Sequence, residues 1–225
     1  MRETHNAEDR QRSTASSRTI NAGIHHESVP MKRILASAIF FGMVSFPAFA
    51  ALNAGDVAPG FRTQASLNGK AVEFSLQAIL KKGPAVVYFY PSAYTGGCNI
   101  QAHTFAVNLD KFTALGVSVV GVSLDSIERL NAFSADPDYC GGKFPVASDA
   151  DGQIARAFKL TIREIAAGKK DTRGVDIQHA AAERTTFVIA ADGKIVATIG
   201  GVSPVENVNQ TLDFVSKLVA PTQLK

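Results

Sequence analysis

Ala85 to Tyr90 is an unbroken apolar and aromatic run, Ala-Val-Val-Tyr-Phe-Tyr, held between Gly83-Pro84 and Pro91. A strand with no polar alternation has no face to give to water. Such a run belongs at the centre of a sheet that is covered on both sides. Val117 to Leu124 reads as a second strand of this kind. Between the two, the pattern predicts a helix from Cys98 to Leu115, ended by Gly116.

The flanking segments extend this layering. Phe61 to Leu67 and Ala71 to Leu76 flank Asn68-Gly69 and read as an opening hairpin. Ser126 to Phe133 is helical in pattern, with Asp125 or Ser126 as cap. Asp136 to Gly142 is turn chemistry, followed by a short extended piece at Phe144 to Ala147 and a helix through Phe158. Ile165 to Ala182 is polar and mixed and reads as a loop. Arg184 to Ala190 and Lys194 to Ile199 flank Asp192-Gly193 as a closing hairpin, and Pro204 opens a final amphipathic helix to Val219. Strands that alternate with helices in this order predict an α/β fold, with a central sheet flanked by helices and an N-terminal hairpin.

The first 50 residues stand apart. Residues 1–30 carry no periodicity and are read as a disordered or non-native upstream extension; the adjacent His25 and His26 lie in this polar tail. Residues 31–50 have the order of a secretory signal peptide: basic Met31-Lys32-Arg33, apolar Ile34 to Phe46, and Ala48-Phe49-Ala50 as the cleavage signal. An uncleaved anchor is the competing expectation, but the apolar stretch falls short of the roughly 20 residues of a membrane span. Cleavage would leave residues 51–225 as one domain in the periplasm or outside the cell, with no stable membrane association. That domain keeps 17 of the 23 Lys and Arg and 16 of the 20 Asp and Glu. So even a balance excludes a basic surface for nucleic acid.

Cys98 is the residue on which chemistry turns. It follows the strand, the break at Pro91 and the loop Ser92 to Gly97, so the chain delivers a thiol to the start of a helix. Unpaired N–H groups and the positive end of the helix dipole favour a thiolate there, whereas a free thiol, with a pKa of about 8.5, is mostly protonated at neutral pH. Thr95 is placed as the N-cap, its oxygen within reach of the Cys98 N–H and its proton free for a substrate or the sulfur. Cys140 is the other cysteine. In an oxidising compartment two cysteines ordinarily read as one structural disulfide, although a domain of this size needs no staple.

Pro91, Thr95 and Cys98 stand as Pro-x-x-x-Thr-x-x-Cys. With this motif the chain resembles the peroxiredoxins, and most nearly the bacterioferritin comigratory protein or Q-type subgroup. Gly121 to Asp125, Lys143 to Asp149 and Arg184 to Ile189 resemble later landmarks of the family in the expected order. The resemblance implies a thioredoxin-like fold and a thiol peroxidase that reduces hydrogen peroxide and organic hydroperoxides through a Cys98 sulfenic acid. It further implies that Arg184 is a fixed cation beside the sulfur, that Thr95 positions the substrate, and that Pro91 shields the thiolate. No cofactor or metal is implied. The reductant of an exported member would be a thioredoxin-like protein or a small thiol of the same compartment.

Two departures from the family pattern bear on recycling. Where many relatives carry Pro-Gly before the cysteine, this chain has Gly96-Gly97. Where many carry a resolving cysteine five positions after the first, it has His103. Some members resolve through a cysteine near the next helix, where Cys140 falls. Cys140 is therefore a resolving cysteine, a buried inert thiol, or half of a permanent disulfide. Its loop, Asp-Pro-Asp-Tyr-Cys-Gly-Gly, reads as mobile.

Two other functions compete. A thiol-disulfide oxidoreductase of the same fold would carry Cys-x-x-Cys, but Thr95 occupies the first position. A non-catalytic binding module would need none of Pro91, Thr95, Cys98 and Arg184. A metal carrier is weaker still, since Cys98 and His103 do not have a ligand spacing.

Overall fold

The structure is a computed structural model that describes residues 50–219. The upstream extension and all but the last residue of the signal-peptide segment therefore lie outside the described residues. The chain begins with β1 (Arg62–Leu67) and β2 (Lys70–Ser75), paired antiparallel about Asn68 and Gly69, both at positive φ. A short helix, α1 (Leu76–Leu80), follows, where Ser75 caps the Ala78 N–H. Next come β3 (Ala85–Phe89), α2 (Gly96–Ala114), β4 (Ser118–Ser123), α3 (Ile127–Ala135), β5 (Val146–Ser148) and α4 (Gln153–Ala157). A two-residue ribbon of β6 (Ile162–Arg163) and β7 (Ala181–Ala182) closes the loop between them. β8 (Thr185–Ile189), β9 (Ile195–Gly200) and α5 (Pro204–Val219) complete the fold.

Seven strands form one mixed sheet in the order β2-β1-β5-β4-β3-β8-β9. β3, β4 and β5 run parallel, and the two hairpins extend the sheet antiparallel at its edges. β3 is buried at every position because it divides its side chains between two cores. Val87 and Phe89 join Phe61, Phe158 and Phe187 on one face, below α1 and α4. Val86 and Tyr88 join Phe105, Phe133, Val208 and Val215 on the other, below α2, α3 and α5. Cys98 and Cys140 both belong to this second core.

Local differences from the sequence expectation have clear causes. α2 starts at Gly96, two residues before the expected Cys98, since glycines without a fixed φ preference let the turn close early. It ends as expected, with Gly116 at φ 70°. α1 is not anticipated by the sequence pattern, which ends the second strand at Leu76 and assigns nothing to the four residues that follow; five residues are too few for helical periodicity to register. β8, one arm of the closing hairpin, is buried at all five residues, because it lies between β3 and β9 with a core on each face. Among the described residues, no helix is long and apolar enough to cross a membrane.

Candidate active site

After Phe89 the chain leaves the sheet through Tyr90, whose N–H still bonds Val122, and Pro91, which has no N–H to continue the pairing. The loop that follows is held from beneath. Asp125, at the end of β4, is fully buried and accepts from the Ala93 N–H at 2.8 Å, the Ser92 hydroxyl at 3.1 Å and the Ser123 hydroxyl at 2.7 Å. Arg129 Nε at 2.7 Å and His179 Nε2 at 2.9 Å complete its shell. Burial on its own would raise the Asp125 carboxyl, but the His179 hydrogen bond and charge, with the Ala93 and Ser123 donors, hold it below the ordinary carboxylate range.

This arrangement favours the imidazolium form of His179. Its Nδ1 faces the Ala180 carbonyl at 2.7 Å while Nε2 faces Asp125 at 2.9 Å, so both nitrogens meet acceptors that a doubly protonated ring satisfies. Burial opposes that charge, and the Asp125 carboxylate overcomes it, leaving the His179 pKa above its usual value. Asp125 had been expected only as a possible cap; Ser126 takes that role, accepting from the Arg129 N–H.

Tyr94 has a left-handed backbone, φ 60°, which a tyrosine adopts only when its surroundings impose it. The polar segment expected to be a plain loop supplies those restraints. Thr172 donates to the Tyr94 carbonyl through both its N–H (2.8 Å) and its hydroxyl (2.9 Å). The Arg173 guanidinium lies 3.2 Å from the Tyr94 ring centroid, and Asp171 pairs with both Arg173 and Arg129. Phe133 and Tyr139 pack edge-on against the same ring.

Thr95 is the N-cap residue of α2, but its side chain makes no capping bond. Its hydroxyl donates to the Ser92 carbonyl at 2.9 Å instead. This corrects the expected contact with the Cys98 N–H, and the hydroxyl proton is engaged rather than free. What remains available on Thr95 is acceptor capacity, suited to a hydroperoxide O–H. The first helical N–H groups, Gly96, Gly97 and Cys98, have no acceptor within the helix, the first intrahelical bond running from Asn99 to Thr95 at 2.8 Å. Of these, the Gly97 and Cys98 donors remain free for what binds beside the sulfur.

Cys98 is 1% exposed and lies in the first turn of α2. Arg184, just before β8, donates from Nη2 to its Sγ at 3.4 Å. The two residues are 86 positions apart and meet because β8 runs antiparallel to β3 and begins beside the motif loop. Gly97 makes the approach possible: a Cβ there would lie 3.2 Å from Arg184 Nη2 and 3.3 Å from Pro204 Cγ. Gly96 faces open space. The other nitrogen of the guanidinium, Nη1, is bound to Gln101 Oε1, a contact not foreseen from the sequence. Its signal was present: Gln101 lies one turn after Cys98, on the same side of the helix.

Cys140 lies in the turn after α3, and both thiols are free. The turn, read as mobile from its residues, is packed and hydrogen-bonded here. Its cysteine is 0% exposed, Gly141 and Gly142 close back onto Asp136 and Ser134, and Tyr139 stacks on Phe133. His103 Nδ1 contacts the Asp138 carbonyl at 3.0 Å, which ties the turn to α2. Burial first, and then the Asp136 carboxylate, push the Cys140 thiol well above its usual range, so it is protonated as it stands.

Residues 54–198 match the model of the AhpC/TSA family. The chain belongs to that family. A putative peroxiredoxin of Mycobacterium tuberculosis is 39% identical over 145 residues, covering 64% of this chain and 83% of the relative. Peroxiredoxin Bcp of Escherichia coli is 35% identical over 147 residues, with the same shares of 64% and 83%. Among solved structures, the peroxidoxin BcpB of M. tuberculosis superimposes with a TM-score of 0.61 at 26% identity, over 74% of this chain and 97% of that one. The bacterioferritin comigratory protein of Xanthomonas campestris, crystallised in work on its alkyl peroxide reduction activity, gives 0.56 at 27% identity over 69% and 91%. In the thioredoxin-like fold of this AhpC/TSA member, the one side chain among the described residues that donates to the buried Cys98 sulfur is Arg184.

Proposed function

We propose that this chain is a thiol peroxidase of the cell envelope that reduces hydrogen peroxide and organic hydroperoxides through Cys98 and resolves the product through Cys140. The observation that carries the first step is the Arg184 Nη2 contact with Cys98 Sγ, 3.4 Å long and set at the unoccupied N–H groups of α2. The thiolate attacks the terminal peroxide oxygen, the S–O bond forms as the O–O bond breaks, and the departing alkoxide or hydroxide takes a proton from solvent. Arg184 and the N–H groups of Gly97 and Cys98 supply positive potential where that charge develops. Thr95 accepts the hydroperoxide O–H, and Pro91 closes the strand side of the site.

Resolution joins Cys98–SOH to the Cys140 thiol: the S–S bond forms, the sulfenic hydroxyl leaves, and it departs as water with the thiol proton. Both sulfurs are buried, so the first turn of α2 and the Asp136 to Gly142 turn must open together. An exported thioredoxin-like protein or a small thiol then reduces the disulfide. Export rests on residues 31–50, whose basic, apolar and Ala-x-Ala regions read as a cleaved signal. In a Gram-negative host the periplasm should hold a product that begins at Ala51; a membrane-bound product that keeps Ile34 to Phe46 overturns that part.

The chemistry is tested by peptide mapping after one equivalent of peroxide. Wild type should show Cys98 linked to Cys140. Cys98→Ser should lose turnover and keep its fold. Near-normal turnover in that variant would overturn the central role of Cys98, and an unlinked Cys140 would make this a one-cysteine enzyme resolved by an external thiol.

A further inference from the structure

Behind the Arg184 guanidinium lies a chain of buried amides that reaches the C-terminal helix. Gln101 Nε2 donates to Asn207 Oδ1 at 2.9 Å, and the Thr186 hydroxyl donates to the same oxygen at 2.6 Å. Asn207 Nδ2 donates to the Ile199 carbonyl at 3.0 Å. Gln101, Thr186 and Asn207 are each 0% exposed, so no water competes for these groups. Asn207 also stands on the apolar side of α5 with Val208, Thr211 and Val215, where a hydrocarbon side chain would pack without a polar cost.

The direction of every bond in this chain is forced from its far end. A main-chain carbonyl only accepts, so the Asn207 atom facing Ile199 must be the amide nitrogen. Oδ1 then points the other way and must receive donors. Gln101 can meet it only with Nε2, which leaves Oε1 to face Arg184, and Arg184 has donors alone. With Nη1 held there, Nη2 is aimed at Cys98 Sγ.

We propose that Asn207 is a positioning residue for the peroxidatic cysteine, acting by anchoring the Gln101 amide and so the aim of Arg184. The inference rests on the peroxidase reading of Cys98. Without Asn207 the Gln101 Nε2 loses its buried acceptor, so the side chain is held at its Arg184 end alone and its grip on Nη1 loosens. A carboxylate at position 101 needs no such anchor, because its charge holds the guanidinium directly and both of its oxygens accept. It would also face Asn207 Oδ1 acceptor to acceptor, a clash that removal of Asn207 relieves.

A double-mutant cycle separates this from mere packing. In the wild-type background, Asn207→Ala should slow Cys98 oxidation by hydrogen peroxide about tenfold, equivalent to ~1.4 kcal/mol of transition-state stabilisation, and move the pH profile of Cys98 alkylation by iodoacetamide to higher pH. In the Gln101→Glu background the same change should leave both readouts unaltered or improved. Equal slowing in the two backgrounds, or a folded Asn207→Ala protein with wild-type rates and profile, would overturn the proposal. Should alanine prevent folding, Asn207→Ser replaces it, since the shorter side chain cannot reach Gln101, and thermal melts verify the fold of each variant. If wild-type Cys98 does not react with peroxide, the peroxidase reading fails, and the alkylation profiles still decide whether Asn207 orients Arg184.

Discussion

Replacing Gly96 by proline should separate the two chemical steps. Gly96 is the first helical residue of α2, where the missing proline N–H costs nothing, and a Cβ there meets no atom within 4 Å. Thr95, the residue before it, has φ −110° and ψ 145°, the extended region that a following proline requires. Gly96→Pro therefore fits the reduced structure and restricts the opened one. Such substitutions stabilise by about 0.4–1 kcal/mol, which lowers an opened population by roughly two- to fivefold. The attack of Cys98 on peroxide uses the closed helix and should keep its rate. Disulfide formation needs the open one and should slow by that same factor, with over-oxidation of the longer-lived sulfenic acid rising in step. Stopped-flow fluorescence or quenched mass spectrometry resolves the two phases, and a thermal midpoint higher by about 2–4 °C for a full 1 kcal/mol verifies the stabilisation. A raised midpoint with an unchanged disulfide phase would show that opening of this turn does not limit resolution. Gly97→Ala gives the opposite pattern, because its Cβ would crowd Arg184 Nη2 and Pro204; there the peroxide phase is the one that slows.

Arg184→Met, which keeps length and loses charge, should cut the peroxide rate constant by about 10²-fold with little loss of stability, measured by stopped flow and thermal melts. Cys140→Ser should react with one equivalent of peroxide at the wild-type rate, stall at sulfenic acid, and on a second equivalent accumulate sulfinic acid, visible as a mass gain on the Cys98 peptide. The His179–Asp125 pair should give the loop its own pH dependence. With the His179 pKa raised, its contribution is fully present below about 6.5 and fades as pH climbs through the raised value; with Asp125 lowered, it is present above about 3.9 and fades as pH falls through the depressed value. His179→Gln should thus cost about 1 kcal/mol near pH 5.5 and progressively less toward pH 9.5, read from paired denaturant melts. A pH-independent difference would mean that the imidazolium is not what holds the loop.

Much of the fold was legible because it follows from unbroken patterns. The apolar run of β3 announced a strand with two covered faces, Asn68-Gly69 announced a hairpin, and Gly116 marked the end of α2. For the candidate site, the local motif at Pro91, Thr95 and Cys98 was the part the sequence could point to. What stayed hidden depends on partners distant in sequence. Nothing near Asp125 in the chain indicates His179, 54 positions on, and nothing near Gln101 indicates Asn207, 106 positions on. The hydroxyl direction of Thr95 was misread for a related reason: a cap is the local default, and the Ser92 carbonyl displaces it only because the loop folds tightly enough to bring that oxygen close. The burial of Cys140 was not legible because turn residues signal chain reversal and carry no information on burial.

The division of β3 between two cores has a consequence for divergence within the family. Helices on either side of the sheet, and the segment that clasps Tyr94, each answer to one set of neighbours and can be exchanged or repacked by compensating changes there. A substitution at Val86 or Tyr88 is judged by one core and at Val87 or Phe89 by the other. Any shift of the strand itself is judged by both at once and is passed directly to Pro91. The few residues that lead into the nucleophile should therefore drift more slowly than the catalytic helix that follows them, even though none of them touches a substrate.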